Sequence, residues 1–308
     1  MYKTFAKISI ETDHPHPVTS PDYQNPAGSI EDNSTCPYFI WELDTYFQGH
    51  PYRLLDFGCA GGQFVVDINN KGYPWTAVGI EGGNIHGMDV DFDNEIETSA
   101  GILSRARGYK NWKEYRGKCL FNADLSKPFD IFLHGLEDPF GQHQIYKYPL
   151  PEGKIPFKFD IVTSFEFLEH PHPDEVDEII KNMNKHLKMG GVVLGTINLT
   201  PGEHHRCVKT RQEWTETFKK HGFYTPETNN SQWTILRNGR AGNMYPFRAT
   251  PRTNAPHLLA DAIPFQGLDY YKELIQQGKF KLDQELYVGE RLDELVFPYF
   301  FVKDKECD

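Results

Sequence analysis

This 308-residue chain has no surplus of positive charge: 32 Lys and Arg stand against 43 Asp and Glu, a formal net charge of −11. Binding of nucleic acid or of an anionic membrane face needs a concentrated basic surface. Neither is therefore expected as the main partner. Cysteine is sparse. Cys36, Cys59, Cys119, Cys207 and Cys307 are scattered, odd in number and form no C-x-x-C pair. They read as reduced thiols of a cytoplasmic protein, not as a disulfide framework or a zinc site. No apolar run approaches the roughly 20 residues of a membrane span, and the first residues do not resemble an export signal. No membrane partner is expected, and without export the N-x-[ST] sequences at Asn33, Asn198 and Asn229 carry no meaning. Internal repeats are also lacking.

The apolar fraction of 39% is enough for a full core, and its pattern is informative. In Tyr52–Asn69, YRLLDFGCAGGQFVVDIN, a short apolar run ends at Asp56, breaks into Gly58, Gly61 and Gly62, and continues into a segment carrying Phe64, Val65 and Ile68. This is strand, tight turn, helix. Glycines at such a turn let the main chain approach a ligand that a Cβ would keep away. The next apolar run, Trp75–Ile80, ends in Glu81, a carboxylate at the tip of a second strand, where ribose hydroxyls are bound in doubly wound sheets.

The acidic residue precedes the first glycine in D-F-G-C-A-G-G. In this the stretch resembles motif I of class I S-adenosylmethionine-dependent methyltransferases, [DE]-x-G-x-G-x-G, with Ala60 at the middle glycine. A positive φ at Ala60 would be costly. The resemblance implies an α/β fold: a doubly wound, seven-stranded, mostly parallel, Rossmann-like sheet. It also implies S-adenosylmethionine as cofactor, held by Asp56, Gly58, Cys59, Ala60, Gly61, Gly62 and Phe64, with Glu81 on the ribose. Cys119–Phe121 reads as a third strand ending near Asp124, which matches the family's adenine acceptor and has Leu125 beside it. The bland reading of Asp124 is a helix N-cap.

Residues 1–36 have little periodicity and read as an extended or loosely packed arm. Phe39, Ile40, Leu43, Tyr46 and Phe47 recur at helical spacing, giving a helix that caps the cofactor or packs on the sheet edge. The aspartates of Asp89–Glu95 suggest a calcium loop, but the positions that need glycine and glutamate are Asn94 and Ala100. A solvated acidic turn fits better. Ser99–Arg107 is a candidate helix with Trp112 and Tyr115 beneath it, and residues 126–158 read as an irregular excursion. Phe159–Phe165 is a buried strand, and Val176, Ile179, Ile180, Met183 and Leu187 trace a helix face ending at Gly190. Val192–Ile197 is the following strand, which requires a parallel sheet with right-handed crossovers. Thr210 and Glu213 form a capping box ahead of Trp214 and Phe218. Phe223–Thr225 starts a sixth strand. Leu295–Val302 is a final antiparallel strand in which Pro298 needs an edge, end or bulge. The organisation is one structural domain: an arm and capping helix over 1–50, a core over 51–225, an insertion or lid over 226–293, and a last strand and tail over 294–308.

The chemistry-bearing phrase is F-E-F-L-E-H. Glu166, Glu169 and His170 follow the fourth strand and can converge on one side of a helical turn, with His204 and His205 downstream. Carboxylate and imidazole together suit Mg2+ or another divalent cation. The set Glu166, Glu169, His170 and His205 resembles the E-x-x-E-H plus distant His of small-RNA 3′-terminal 2′-O-methyltransferases. A similar E-x-x-E-H occurs in ubiquinone-pathway O-methyltransferases. In a metal-free reading, His170 or His205 is a general base beside Glu169. In a structural one, these side chains only satisfy helix ends. The aromatic residues Tyr245, Phe247, Tyr270 and Tyr271 read mostly as core or lid packing. The expectation is an O-methyltransferase acting on a hydroxyl of a sugar, glycan or other small molecule, with catalysis by Glu169, His170 and His205. An RNA 3′-terminal 2′-O-methyltransferase and a non-catalytic binding protein are the alternatives.

Overall fold

The computed structural model describes residues 5–17, 34–35, 39–40, 43–44, 47–72, 74–83, 108, 110–137, 153–199, 201, 205–225, 247–248 and 296–307. The expected acidic turn at Asp89–Glu95, the helix over Ser99–Arg107, His204, and residues 226–293 apart from Phe247 and Arg248 lie outside them.

Twelve strands are described: β1 Phe5–Glu11, β2 Ser34–Thr35, β3 Arg53–Phe57, β4 Thr76–Glu81, β5 Leu120–Asn122, β6 Asp130–Glu137, β7 Ile155–Pro156, β8 Phe159–Phe165, β9 Leu187–Asn198, β10 Phe223–Tyr224, β11 Phe247–Arg248 and β12 Val296–Lys303. Three helices are described from end to end, α1 Gln63–Asn69, α2 Val176–His186 and α3 Arg211–Lys220, and residues 39–40, 43–44, 108 and 110–115 are also helical. A seven-stranded sheet has the order β10-β12-β9-β8-β3-β4-β5. Strands β9, β8, β3, β4 and β5 are mutually parallel, and β12 runs against its neighbours.

Alternate residues of the central strands feed two cores, as the two-residue period of a strand requires. On one face Leu55, Phe57, Val78, Ile80, Val162 and Val193 meet Ile179, Ile180 and Met183 of α2 and Trp214 and Phe218 of α3. On the other, Leu54, Ala77, Ile161 and Leu194 meet Phe64, Val65 and Ile68 of α1, with Trp112, Phe39 and Leu43. Each such side chain contributes roughly 1.5–3 kcal/mol by leaving water. Helices therefore cover both faces, and the carboxyl ends of the parallel strands gather on one edge. Pro298 pairs with Thr196 of β9. On its other side β12 pairs only through Val302 and Lys303, so no described strand asks Pro298 for an N–H.

Three expectations are corrected. The first residues are extended but not loosely packed. Strand β1 pairs antiparallel with β6, with a bulge at Lys7/Ile8 opposite Gly135, and Ala6 and Ile8 are buried with Ile131 and Leu133. The stretch 126–158 is accordingly not all irregular, since β6 and β7 complete this second, three-stranded sheet. Its Pro and Gly content concealed the alternation. The helix through Val176 also ends sooner, at His186, and Leu187 is already extended at φ −80, ψ 145. The buried ammonium of Lys303 donates to Asn184 O (2.9 Å) and Leu187 O (3.0 Å), satisfying carbonyls at the helix end from outside. Among the described residues, no helix is long and apolar enough to cross a membrane.

Candidate active site

The turn after β3 is held from two sides. Gly58 and Cys59 donate their N–H groups to Ile80 O (2.9 and 3.1 Å), Ala60 donates to Glu81 Oε2 (2.9 Å) and Gly62 to Cys59 O (2.8 Å). Four amides of the turn are thus engaged inside the protein and fix its shape. From the other side, Trp112 Nε1 donates to Ala60 O (2.8 Å) and Asn111 Nδ2 to Gly61 O (3.1 Å). Ala60 has φ +46, the strained conformation that its place in the motif implied, and the bonds at both its ends hold it there.

Space at the turn is used differently from the expectation of an open cradle. A Cβ on Gly58, φ +75, would come within 2.7 Å of the Phe167 ring. The room that glycine leaves is taken by a side chain from the loop carrying Glu166, Glu169 and His170. Phe64 is buried and its ring packs on Phe39 and Phe165 at 6.1 and 5.8 Å. Leu125 is buried in the opposite core, and its carbonyl accepts from Asn182. Neither side chain faces a ligand, so a contact from these residues would come from the main chain. Cys59 is buried as well, and burial, then Glu81 and Asp56, hold its thiol well above the ordinary range.

Two carboxylates stand behind the turn. Asp56 is buried on β3 and accepts from Thr163 Oγ1 at 2.7 Å. Burial lifts it to about 7, with the Thr163 bond acting against the shift and Glu81 adding to it. Glu81 ends β4, and besides Ala60 N it accepts from Gly83 N at 2.9 Å. Asn122 Nδ2 bridges Glu81 O and Gly83 O (3.0 and 3.1 Å), tying β5 to the same corner. Asp124, just past β5, accepts from Ser126 N and Oγ at 2.9 and 2.6 Å, a local turn bond; a turn and then β6 follow, so there is no helix here for Asp124 to cap.

The Glu/His residues come together at the carboxyl ends of β8 and β9. Ligand atoms of Glu169, His170 and His205 lie within 4.8 Å of one another, and the two imidazoles are edge to face with centroids 5.2 Å apart. The backbone is a tight turn, His170 N to Phe167 O at 2.9 Å, in place of the expected helical turn. His205 is brought in by its own strand of chain: Cys207 N donates to Glu169 O (2.9 Å) and Arg206 Nε to His170 O (2.9 Å). Glu169 is fully buried, its Oε1 accepts from Asn198 N at 3.0 Å, and its Oε2 has no hydrogen-bond partner among the described residues. Desolvation, reinforced by Glu166, raises its pKa well above the usual carboxylate range. Glu166 stands outside the three-residue cluster, on a main chain with φ +50, a strain of the kind that accompanies working sites. Sequence reasoning missed Thr163, Phe167, Asn111 and Arg206. It had placed Trp112 in packing alone. None of the five carries a local signal, because each acts across a fold contact.

A seven-stranded sheet of this order, with a glycine turn after β3 and a carboxylate at the tip of the neighbouring β4, is the framework of an S-adenosylmethionine-dependent methyltransferase. The chain belongs to the methyltransferase-domain family, whose sequence pattern matches residues 38–228, more than half its length. Solved structures similar to it include the O-methyltransferase segment of StiE (15% identity, 86% of this chain and 74% of that one, TM-score 0.36). They also include the plantazolicin methyltransferase BamL (13%, 92% and 88%, TM-score 0.43). Another is Haemonchus contortus phosphoethanolamine N-methyltransferase 2 (17%, 72% and 47%, TM-score 0.39), of which this chain spans about half. No curated protein matches the chain.

Proposed function

We propose that the protein transfers the methyl group of S-adenosylmethionine to a hydroxyl of a sugar, glycan or other small molecule. The observation that carries this reading is the Glu169, His170, His205 cluster beside the glycine turn. The cofactor supplies an electrophilic methyl on a sulfonium. Glu81, pinned at the carboxyl end of β4 by the amides of Ala60 and Gly83, is set to accept ribose hydroxyls, and Asp124 to accept the adenine amino group. Methyl transfer then asks the protein for alignment and for an acceptor made nucleophilic. An amine needs little help, whereas an alcohol must lose a proton.

The donor set fits a divalent cation: one carboxylate and two imidazoles converge, and the buried Oε2 of Glu169 has no other partner among the described residues. A cation held by Glu169, His170 and His205 would lower the pKa of a bound hydroxyl. In the metal-free form of the site, His170 or the half-buried His205 would take the proton instead. The same cluster keeps the terminal ribose of an RNA as a second acceptor, although the acidic chain opposes it.

Methyl transfer to a panel of sugars and phenols, with and without EDTA, tests the reading. Activity is expected on hydroxyl acceptors, with loss on chelation and a fall of roughly a hundredfold or more in His170→Ala and His205→Ala. Turnover confined to amines, or unchanged in both variants, would overturn it. Salt-sensitive retention of short single-stranded RNA on a filter would move the acceptor to RNA.

A further inference from the structure

The segment ahead of the family-matched residues crosses the carboxyl edge of the main sheet at β4 and β5. Thr12 Oγ1 donates to Pro128 O at 3.3 Å, Asp124 N donates to His14 O at 2.8 Å, and His16 Nδ1 lies 3.4 Å from Gly82 O. Pro17 rests on Gly82, where an added Cβ would come within 2.9 Å of its Cγ. Gly82 directly follows Glu81, and Asp124 is the residue proposed for the adenine. One stretch of chain thus touches both ends of the adenosine position.

An adenine ring is apolar on its faces and polar at its edges, so a pocket for it needs an apolar wall as well as fixed acceptors. Gly82 and Gly83 have no side chains with which to build that wall, and the Pro17 ring occupies the place a residue-82 side chain would fill. His14-Pro15-His16-Pro17 is also stiff, because a residue before proline is confined to extended conformations. Little conformational entropy remains for it to lose when a ligand arrives. The main-chain bond from Asp124 to His14 fixes the loop whose carboxylate meets the adenine.

We infer that His14–Pro17 is part of the donor site: Pro17 gives the adenosine its apolar wall and His14 positions Asp124. This rests on the donor reading above and deepens it, since the segment lies outside the residues that the family pattern matches.

Calorimetry with S-adenosylhomocysteine and with 5′-methylthioadenosine, which keeps the adenosine end alone, tests the inference on full-length protein. Pro17→Gly removes the wall, Gly82→Ala pushes it aside, and Pro17→Val restores an apolar face. Both ligands are expected to weaken by the same factor, roughly five- to tenfold, in the first two variants and to recover in the third. The ligand-free melting temperature of Pro17→Gly should fall only by the small amount that added freedom in the unfolded chain costs, and Pro17→Val, which also lacks the proline ring, controls for it. Unaltered affinity in Pro17→Gly and Gly82→Ala overturns the inference and leaves the donor reading intact. Failure of the unsubstituted protein to bind either ligand removes both.

Discussion

Asp56 and His186 are buried side chains that bind protons in opposite states of the chain. Asp56 rises to about 7 when folded, so between about pH 4 and 7 the folded protein holds a proton that the unfolded chain has released, and stability falls as pH rises. His186 is driven down to about 4 by burial, with the Asn182 carbonyl resisting. Its Nδ1 lies 2.8 Å from Asn182 O, and its ring stacks on Phe129 at 4.4 Å. Between about pH 4 and 6.5 the unfolded chain holds the extra proton, and stability rises with pH. Asp56→Asn keeps an acceptor for Thr163 and removes the first titration. Its stability relative to the unsubstituted protein should improve by about 1.4 kcal/mol per pH unit across that window. His186→Gln should change in the opposite sense over its own range. Urea unfolding at pH 4.5, 5.5 and 6.5 measures both differences, and parallel curves would show that neither group is shifted.

At the scale of the element, the glycine turn was legible because its meaning is local: an acidic residue, a break and a helix within one short stretch. What holds it was not. Trp112 reaches Ala60 O and Asn111 reaches Gly61 O from a part of the chain that gives no sign of the partnership. Trp112→Phe deletes one donor from a part-buried carbonyl and should destabilise the protein by about 1 kcal/mol. It should also weaken S-adenosylhomocysteine several-fold by loosening the strained residue. Ala60→Gly acts the other way: relief of the left-handed strain at φ +46 exceeds the entropy that glycine adds, for a gain of up to about 1 kcal/mol. The box at α3 was equally legible. Thr210 Oγ1 accepts from Glu213 N at 3.2 Å while the Glu213 carboxylate accepts from Thr210 N at 2.7 Å, a reciprocal pair visible in the spacing alone. Strand β1 was not, because Ala6 and Ile8 become a core pattern only once β6 is opposite them.

On the scale of the molecule, the sheet separates its two edges by purpose. The carboxyl edge holds the turn, Glu81 and the Glu/His cluster. The amino edge, where α2 ends and β9 begins, holds the chain together through side chains that the sequence did not single out. Asn184 Nδ2 donates to His221 O and Lys305 O, each at 2.9 Å, and Asn184 Oδ1 accepts from Cys307 N at 3.2 Å. One amide thus joins α2, the end of α3 and the tail after β12. At about 1 kcal/mol per bond, and more where a partner is left buried and unpaired, Asn184→Ala should lower stability by roughly 3 kcal/mol. Because those bonds lie at the far edge from the donor turn, S-adenosylhomocysteine affinity measured well below the unfolding transition should stay within about twofold of the unsubstituted protein. Chemical denaturation and calorimetry on the same preparation read the two quantities separately. A parallel loss of affinity would mean that the amino edge positions the site as well as closing the fold.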